Sequence, residues 1–243
     1  MKNYHYFLNQ FISLRTYVYF ILTYILLSYS IYLFYDVNTI MMLGYEDSLF
    51  ENLSFIFYVV SAIFSLIIFI KNKSIYFFLL FLIFFIGAGE EISWGQRIFN
   101  FDTPTSIQEI NVQDEFNLHN IEIFNSNNFD RSTKQGLGKL TTFNFLYKLF
   151  WLSWCVLLPL LVFNFEFIKK ITCWLKLPIP AFTIGIFFIV NWLTFRLIHT
   201  YLLPVGEHRQ YYDTIGEIRE TGSSFIFLVL IFYFYRQLRS QNK

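Results

Sequence analysis

Long apolar runs separated by polar connections dominate the chain. Six of them approach the length of a membrane crossing, which takes about 20 mostly apolar residues for a hydrocarbon core of about 30 Å. They are TYVYFILTYILLSYSIYLFY (16–35), NLSFIFYVVSAIFSLIIFI (52–70), SIYFFLLFLIFFIGAGEEISW (74–94), FLYKLFWLSWCVLLPLLVF (145–163), PAFTIGIFFIVNWLTFRLIHTYL (180–202) and GSSFIFLVLIFYFY (222–235), the last extended backwards through Glu217. Pro180 takes a first-turn position, Pro204 closes the fifth run, and Pro159 inside the fourth predicts a kink there. The first run follows Lys2 and Arg15 without a small-x-small cleavage site, so it reads as a span, not a signal peptide. The expected fold is all-α, a polytopic membrane bundle of about six helices forming a single transmembrane domain over residues 1–243.

The connection over residues 99–142 is the long one. Within SIQEINVQDEFNLHNIEIF, residues Ile107, Ile110, Leu118 and Ile121 recur near helical spacing with acids and amides between them, which predicts a short amphipathic helix lying on the outer membrane surface. Folded over the bundle, it would bring Asn117, His119 and Asn120 to the helix ends. SNNFDRSTKQGLGK, which follows, reads as an exposed loop.

Composition agrees with the pattern: 56% of the 243 residues are hydrophobic and only 14% charged, against roughly 25% charged in a soluble domain. The net charge is +1 and Lys and Arg are scattered, which argues against a nucleic-acid partner. Cys155 lies in an apolar run and Cys173 in a basic connection, so neither a disulfide nor a CxxC site is expected. Connection charge sets the orientation. DVNTIMMLGYEDSLFE has four acids and no base, whereas KNK, the Lys169/Lys170/Lys176 connection and the Arg236/Arg239/Lys243 tail are basic, which places both termini in the cytoplasm of a cell inner membrane.

With that orientation the unusual polar residues fall on the outer side. Glu90, Glu91, Gln96 and Arg97 end the third run, Arg196 and His199 end the fifth, and Glu207, His208, Asp213, Glu217, Arg219 and Glu220 lead into the sixth. Ionisable residues at membrane depth are costly and usually face a bundle interior or a watery cavity. On a continuous helix Glu90 shares a face with Trp94, as Arg196 does with His199 and Glu217 with Glu220. Gly87 and Gly89 would admit another helix closely.

GEEISWGQRIF followed by NVQDEFNLHN, about residues 87–120, resembles the signature of a bacterial multi-pass membrane family that brings no activity to transfer. In architecture alone the chain is similar to the alkaline ceramidase and adiponectin-receptor group of seven-helix metal-dependent amide hydrolases, whose carboxylates and histidines gather at one membrane face. It departs from them in having six runs and no paired histidines on the last helix, which puts zinc in doubt.

Three functions are compatible with this layout. The first is a hydrolase or transferase acting at the outer leaflet on a membrane lipid or lipid-linked substrate. There, Glu90 or Glu91 would be the general base, with His119 and His199 as further catalytic groups, and Trp94, Gln96, Arg97, Arg196, Asn117 and Asn120 would hold substrate. A zinc variant would use His119, His199 and His208 with one glutamate. The second is a non-catalytic module, lipid-binding or an assembly subunit of an envelope complex, in which the glutamates pair with Arg97, Arg196 or Arg219 and the histidines and Trp94 are interfacial anchors. The third is a small proton-coupled permease, disfavoured because no internal repeat and no pair of broken helices is visible. The orientation predicts that a cysteine replacing Glu46 or Arg131 is labelled by an impermeant thiol reagent added outside, whereas one replacing Asn72 is not; outside labelling at position 72 would overturn it.

Overall fold

The computed structural model describes residues 14–45, 48–112, 115–130, 132–202 and 209–241, apart from the side chains of Arg97, Leu202, Arg209, Gln210 and Gln241. Pro204, Glu207 and His208 lie outside the described residues. The main helices are α1 (Arg15–Phe34), α2 (Val37–Leu43), α3 (Leu49–Asn72), α4 (Ile75–Glu91), α5 (Phe143–Asn164), α6 (Glu166–Trp174), α7 (Phe182–Leu197, prolonged by a wider turn over Ile198–Leu202) and α8 (Arg209–Gln241). No strand forms among the described residues, only isolated bridges at Asn111–Ile121 and Asn127–Thr133. The fold is all-α.

Four helices, α1, α3, α5 and α7, are long and apolar enough to cross a membrane. Two more complete the bundle: α4 has 17 residues, and α8 has 33, about 50 Å at 1.5 Å per residue. The distribution of side chains is that of a protein solvated by lipid. Leu26, Leu27, Leu33 and Phe34 on α1 are 66–78% exposed, a surface that would drive aggregation in water. The interior instead holds small polar residues: Ser54, Ser61 and Ser65 on α3, and Thr214, Thr221, Ser223 and Ser224 on α8 are all buried. Where lipid is as apolar as leucine, helices associate through close packing and interhelical hydrogen bonds, which such residues permit.

Central to this packing is α8. Thr221 donates to the Phe50 carbonyl (3.0 Å) and accepts from Ser54 (3.0 Å), tying α8 to α3. Thr214 donates to the Ile40 carbonyl of α2 (3.2 Å). Asn191 of α7 makes the densest crossing. Its Nδ2 donates to the Arg219 carbonyl (2.8 Å) and to Ser223 Oγ (3.1 Å), while its Oδ1 accepts from Tyr29 of α1 (3.0 Å). Three helices therefore meet at one fully buried amide.

Pro159 acts as its position predicts, with a definite mechanism. Lacking an N–H, it cannot bond the carbonyl of Cys155 one turn earlier, and the preceding turn, Leu152–Leu157, widens to π-helical spacing. The Cys155 carbonyl instead faces Gly185 of α7, where an added Cβ would sit 1.8 Å from the oxygen. Glycine at 185 thus sets the α5–α7 approach.

Two sequence expectations change. The third apolar run is helical only to Glu91, because Ser93, Trp94 and Gly95 all take left-handed φ values of 45°, 51° and 82°. The interfacial helix expected across Ile107–Ile121 is reduced to the single turn Thr105–Gln108. Downstream, the asparagines spend their amides on nearby loop groups, Asn111 Nδ2 donating to the Glu115 carbonyl (2.6 Å) and Asn117 Nδ2 to the Glu115 carboxylate (2.6 Å), a competition that disfavours helix. Backbone pairs Val112 N to Asn120 O and Glu122 N to Ile110 O (both 2.8 Å) close the segment into a compact loop.

Gly185→Ala is expected to lower stability in detergent by about 1–3 kcal/mol, as overpacking does, seen as a reduced thermal midpoint. Gly216→Ala on α8, with nothing within 4 Å of its added Cβ, should leave the midpoint unchanged or slightly raised.

Candidate functional site

The adjacent glutamates at the end of α4 have opposite fates. The Glu90 side chain, 5% exposed, is filled by donors. Oε1 accepts from the Trp94 indole N–H (2.6 Å); Oε2 accepts from the backbone N–H groups of Leu118 and His119 (both 2.8 Å) and lies 3.1 Å from His119 Nδ1. A carboxylate surrounded by donors is held in its acceptor-only, ionised form, and the same network puts the histidine proton on Nδ1. Glu90 therefore fastens the loop to the helix end.

The left-handed turn after α4 belongs to the same device. It folds Trp94 back over its own helix, and Gly89 provides the room, since a Cβ there would lie 2.9 Å from the indole ring. The glycine expected to admit another helix admits this indole; Gly87 does face a neighbour, since a Cβ added there would lie 3.4 Å from the Tyr58 ring of α3. Left-handed Ser93 and Trp94 each cost about 1–3 kcal/mol, while a hydrogen bond to a charged acceptor contributes about 1.5–3 kcal/mol. The indole bond to Glu90 offsets part of the turn's cost, and the Leu118 and His119 N–H groups on the same carboxylate fasten the loop.

Gln96, Asn117 and Asn120 join this fastening. Gln96 donates to Thr103 (2.8 Å) and accepts from the Phe116 N–H (2.7 Å). Asn120 donates to Glu115 (3.1 Å) and accepts from Asn125 (3.1 Å). Arg196 is exposed on α7, and nothing is described of the Arg97 side chain. His199 packs beside Phe195 and Tyr212, with ring centroids 5.6 and 5.7 Å away. Among the described residues no three His, Cys, Asp or Glu side chains are grouped to hold a metal ion, and His208 lies outside them.

Glu91, rotated about 100° from Glu90 by helix geometry, has no hydrogen-bond or ion-pair partner among the described residues and is half-buried. It lies close enough to Glu220, Glu217 and Glu51 for their charges to act on it. Arg219 pairs with Glu220 and lies 4.9 Å above the Phe195 ring. Tyr58 of α3 and Tyr147 of α5 complete the group, their hydroxyls 3.3 Å apart. Carboxylates from α3, α4 and α8 thus converge at one end of the bundle with one guanidinium and two phenols. Glu217, Glu220 and Arg219 stood out in the sequence; Tyr58 and Tyr147 did not, being two tyrosines among 17. Glu51 could have been found, as the acid in the first turn of α3.

No protein-family model, curated protein or solved structure matches the chain.

The His119 ring is 40% exposed. Burial lowers its pKa, but the hydrogen bond to Glu90 and the charges of Glu90, Glu220 and Glu115 outweigh it, and the net direction is upward. The histidine's share of loop fastening is therefore complete below the unfolded value near 6.5 and lost as pH rises through the raised folded value. Hydrogen exchange at the Leu118 and His119 amides, corrected for intrinsic rates, should show protection falling across that window, and His119→Ala should abolish the pH dependence. Glu90→Gln, which turns an NH2 group towards N–H donors, should expose both amides and cost about 1–3 kcal/mol or more.

Proposed function

We propose that the chain is a six-span inner-membrane protein, both termini cytoplasmic, whose outer end works as a hydrolase or transferase on a lipid or lipid-linked substrate. Glu91 is its general base. The observation that carries this reading is the contrast within one dipeptide: Glu90 is saturated by donors, while Glu91 has no hydrogen-bond or ion-pair partner among the described residues and lies within reach of the charges of Glu217 and Glu220, near Tyr58. A carboxylate kept free of partners among other acids is arranged for proton transfer, which needs an available acceptor. Arg219 supplies the charge that would receive an anionic head group, and the loop held by Glu90 covers the same end, with His119 near Glu220.

Two further spans are part of this proposal. The α4 helix is 17 residues and reaches bilayer thickness with its flanking residues, and the apolar C-terminal part of α8 crosses beside it. The saturation of Glu90 favours the non-catalytic reading for that residue alone: it builds the site's cover.

The experiment compares lipid and lipid-linked intermediate pools of cells producing the protein, its Glu91→Gln variant or its Glu90→Gln variant at equal membrane abundance. Glu91→Gln should fold with unchanged monodispersity in detergent and abolish the turnover seen with the native chain. Glu90→Gln should lower folded yield. Turnover undiminished in Glu91→Gln, or no pool altered by the native protein, sinks the enzyme reading.

A further inference from the structure

The connection between α5 and α7 carries a feature that the outer site does not use. Helix α6 is nine residues long, EFIKKITCW, about 14 Å and too short to cross a bilayer. Phe167, Ile171 and Trp174 recur at i, i+4 and i+7 along one side, with Phe167 71% and Trp174 80% exposed. Lys169 and Cys173 lie on the far side, Lys170 flanks the apolar side one turn from Phe167 and Trp174, and all three are exposed. A third side faces the protein through buried Thr172, whose carbonyl accepts from the Leu177 N–H (2.9 Å) after Lys176 turns the chain at φ 55°. Just beyond, the Pro178 carbonyl accepts from the buried Trp154 indole of α5 (3.0 Å), fixing the connection to the bundle end.

We infer that α6 is an interfacial helix that seats Phe167, Ile171 and Trp174 among acyl chains and binds anionic phospholipid head groups through Lys169, Lys170 and Lys176. Two observations select a lipid surface as its occupant. First, α6 begins two residues after one membrane-length helix and ends eight residues before another, so its exposed apolar side lies at membrane-interface level. Second, the charge is complementary: three lysines stand against one acid, Glu166, which lies 3.5 Å from Lys169, leaving an excess of positive charge next to the apolar side. Aromatic residues at head-group level and lysines reaching into an anionic surface are the two components of interfacial binding. The inference rests on α5 and α7 spanning the bilayer, but not on the catalytic reading of the outer end.

Cys173 is the exposed thiol and Cys155 is buried, so the full-length protein carries a reporter. A polarity-sensitive probe on Cys173 is followed in nanodiscs of phosphatidylcholine alone and of phosphatidylcholine with phosphatidylglycerol, using acrylamide as a neutral aqueous quencher. Phosphatidylglycerol should shift probe emission to the blue and reduce quenching, and salt should reverse both. Near an anionic surface each lysine is worth about a five-fold preference, so Lys169→Gln/Lys170→Gln/Lys176→Gln should weaken the response by on the order of 100-fold. Phe167→Ser with Trp174→Ser should leave the probe quenched in both lipids. Identical quenching in both nanodiscs, or a triple variant that responds like the native chain, overturns the inference. Shielding that instead depends on protein concentration, with a larger particle, would assign the apolar side to a second copy and also overturn it. A chain that does not remain in the nanodiscs defeats the spanning reading of α5 and α7 and this inference with it.

Discussion

Four donors on one carboxylate organise one end of this protein's bundle. Glu90 sits where α4 stops, and each of its hydrogen bonds fixes a different element: the indole N–H holds the left-handed turn, two backbone N–H groups hold the loop at Leu118 and His119, and the imidazole holds the loop's inner edge. An anion surrounded by N–H groups is a strong acceptor in a setting with little competing water. Because the carboxylate is the shared partner, the turn and the loop are coupled: losing the charge would release both.

That commitment makes the neighbouring residue available. Successive residues on a helix point about 100° apart, so when Glu90 turns to the loop Glu91 must turn elsewhere, here to Glu51, Glu217 and Glu220. The pair is one structural acid and one acid with no hydrogen-bond or ion-pair partner among the described residues, created by the geometry of a single turn. Arg219 moderates the local charge through Glu220, and its guanidinium packs on Phe195, so it is held in place from two sides.

Beneath this end, several polar groups satisfy one another across helices, as an interior without water favours. Asn191 joins α1, α7 and α8, and the serines and threonines of α3 and α8 replace bulk with close approach. The α5–α7 contact follows from a backbone constraint: Pro159 removes a donor from its own helix, and Gly185 leaves space for the Cys155 carbonyl on the next. Outside, the large exposed side chains need only lipid.

The sequence by itself determined the helical class, the number and approximate bounds of the apolar runs and a helix irregularity at Pro159, because apolar length and proline chemistry are local properties. It also singled out Glu90, His119, Asn117 and Gln96, yet their assignment to substrate or catalysis was open, and the structure puts all four in the fastening of a loop. It overlooked Tyr58 and Tyr147, whose composition background hides them, and expected a helix where asparagine side chains hold a folded loop instead. Only the tertiary structure decided which of two adjacent glutamates is saturated. A carboxylate's role depends on which donors arrive from 28 or 29 residues away, and no local pattern records that.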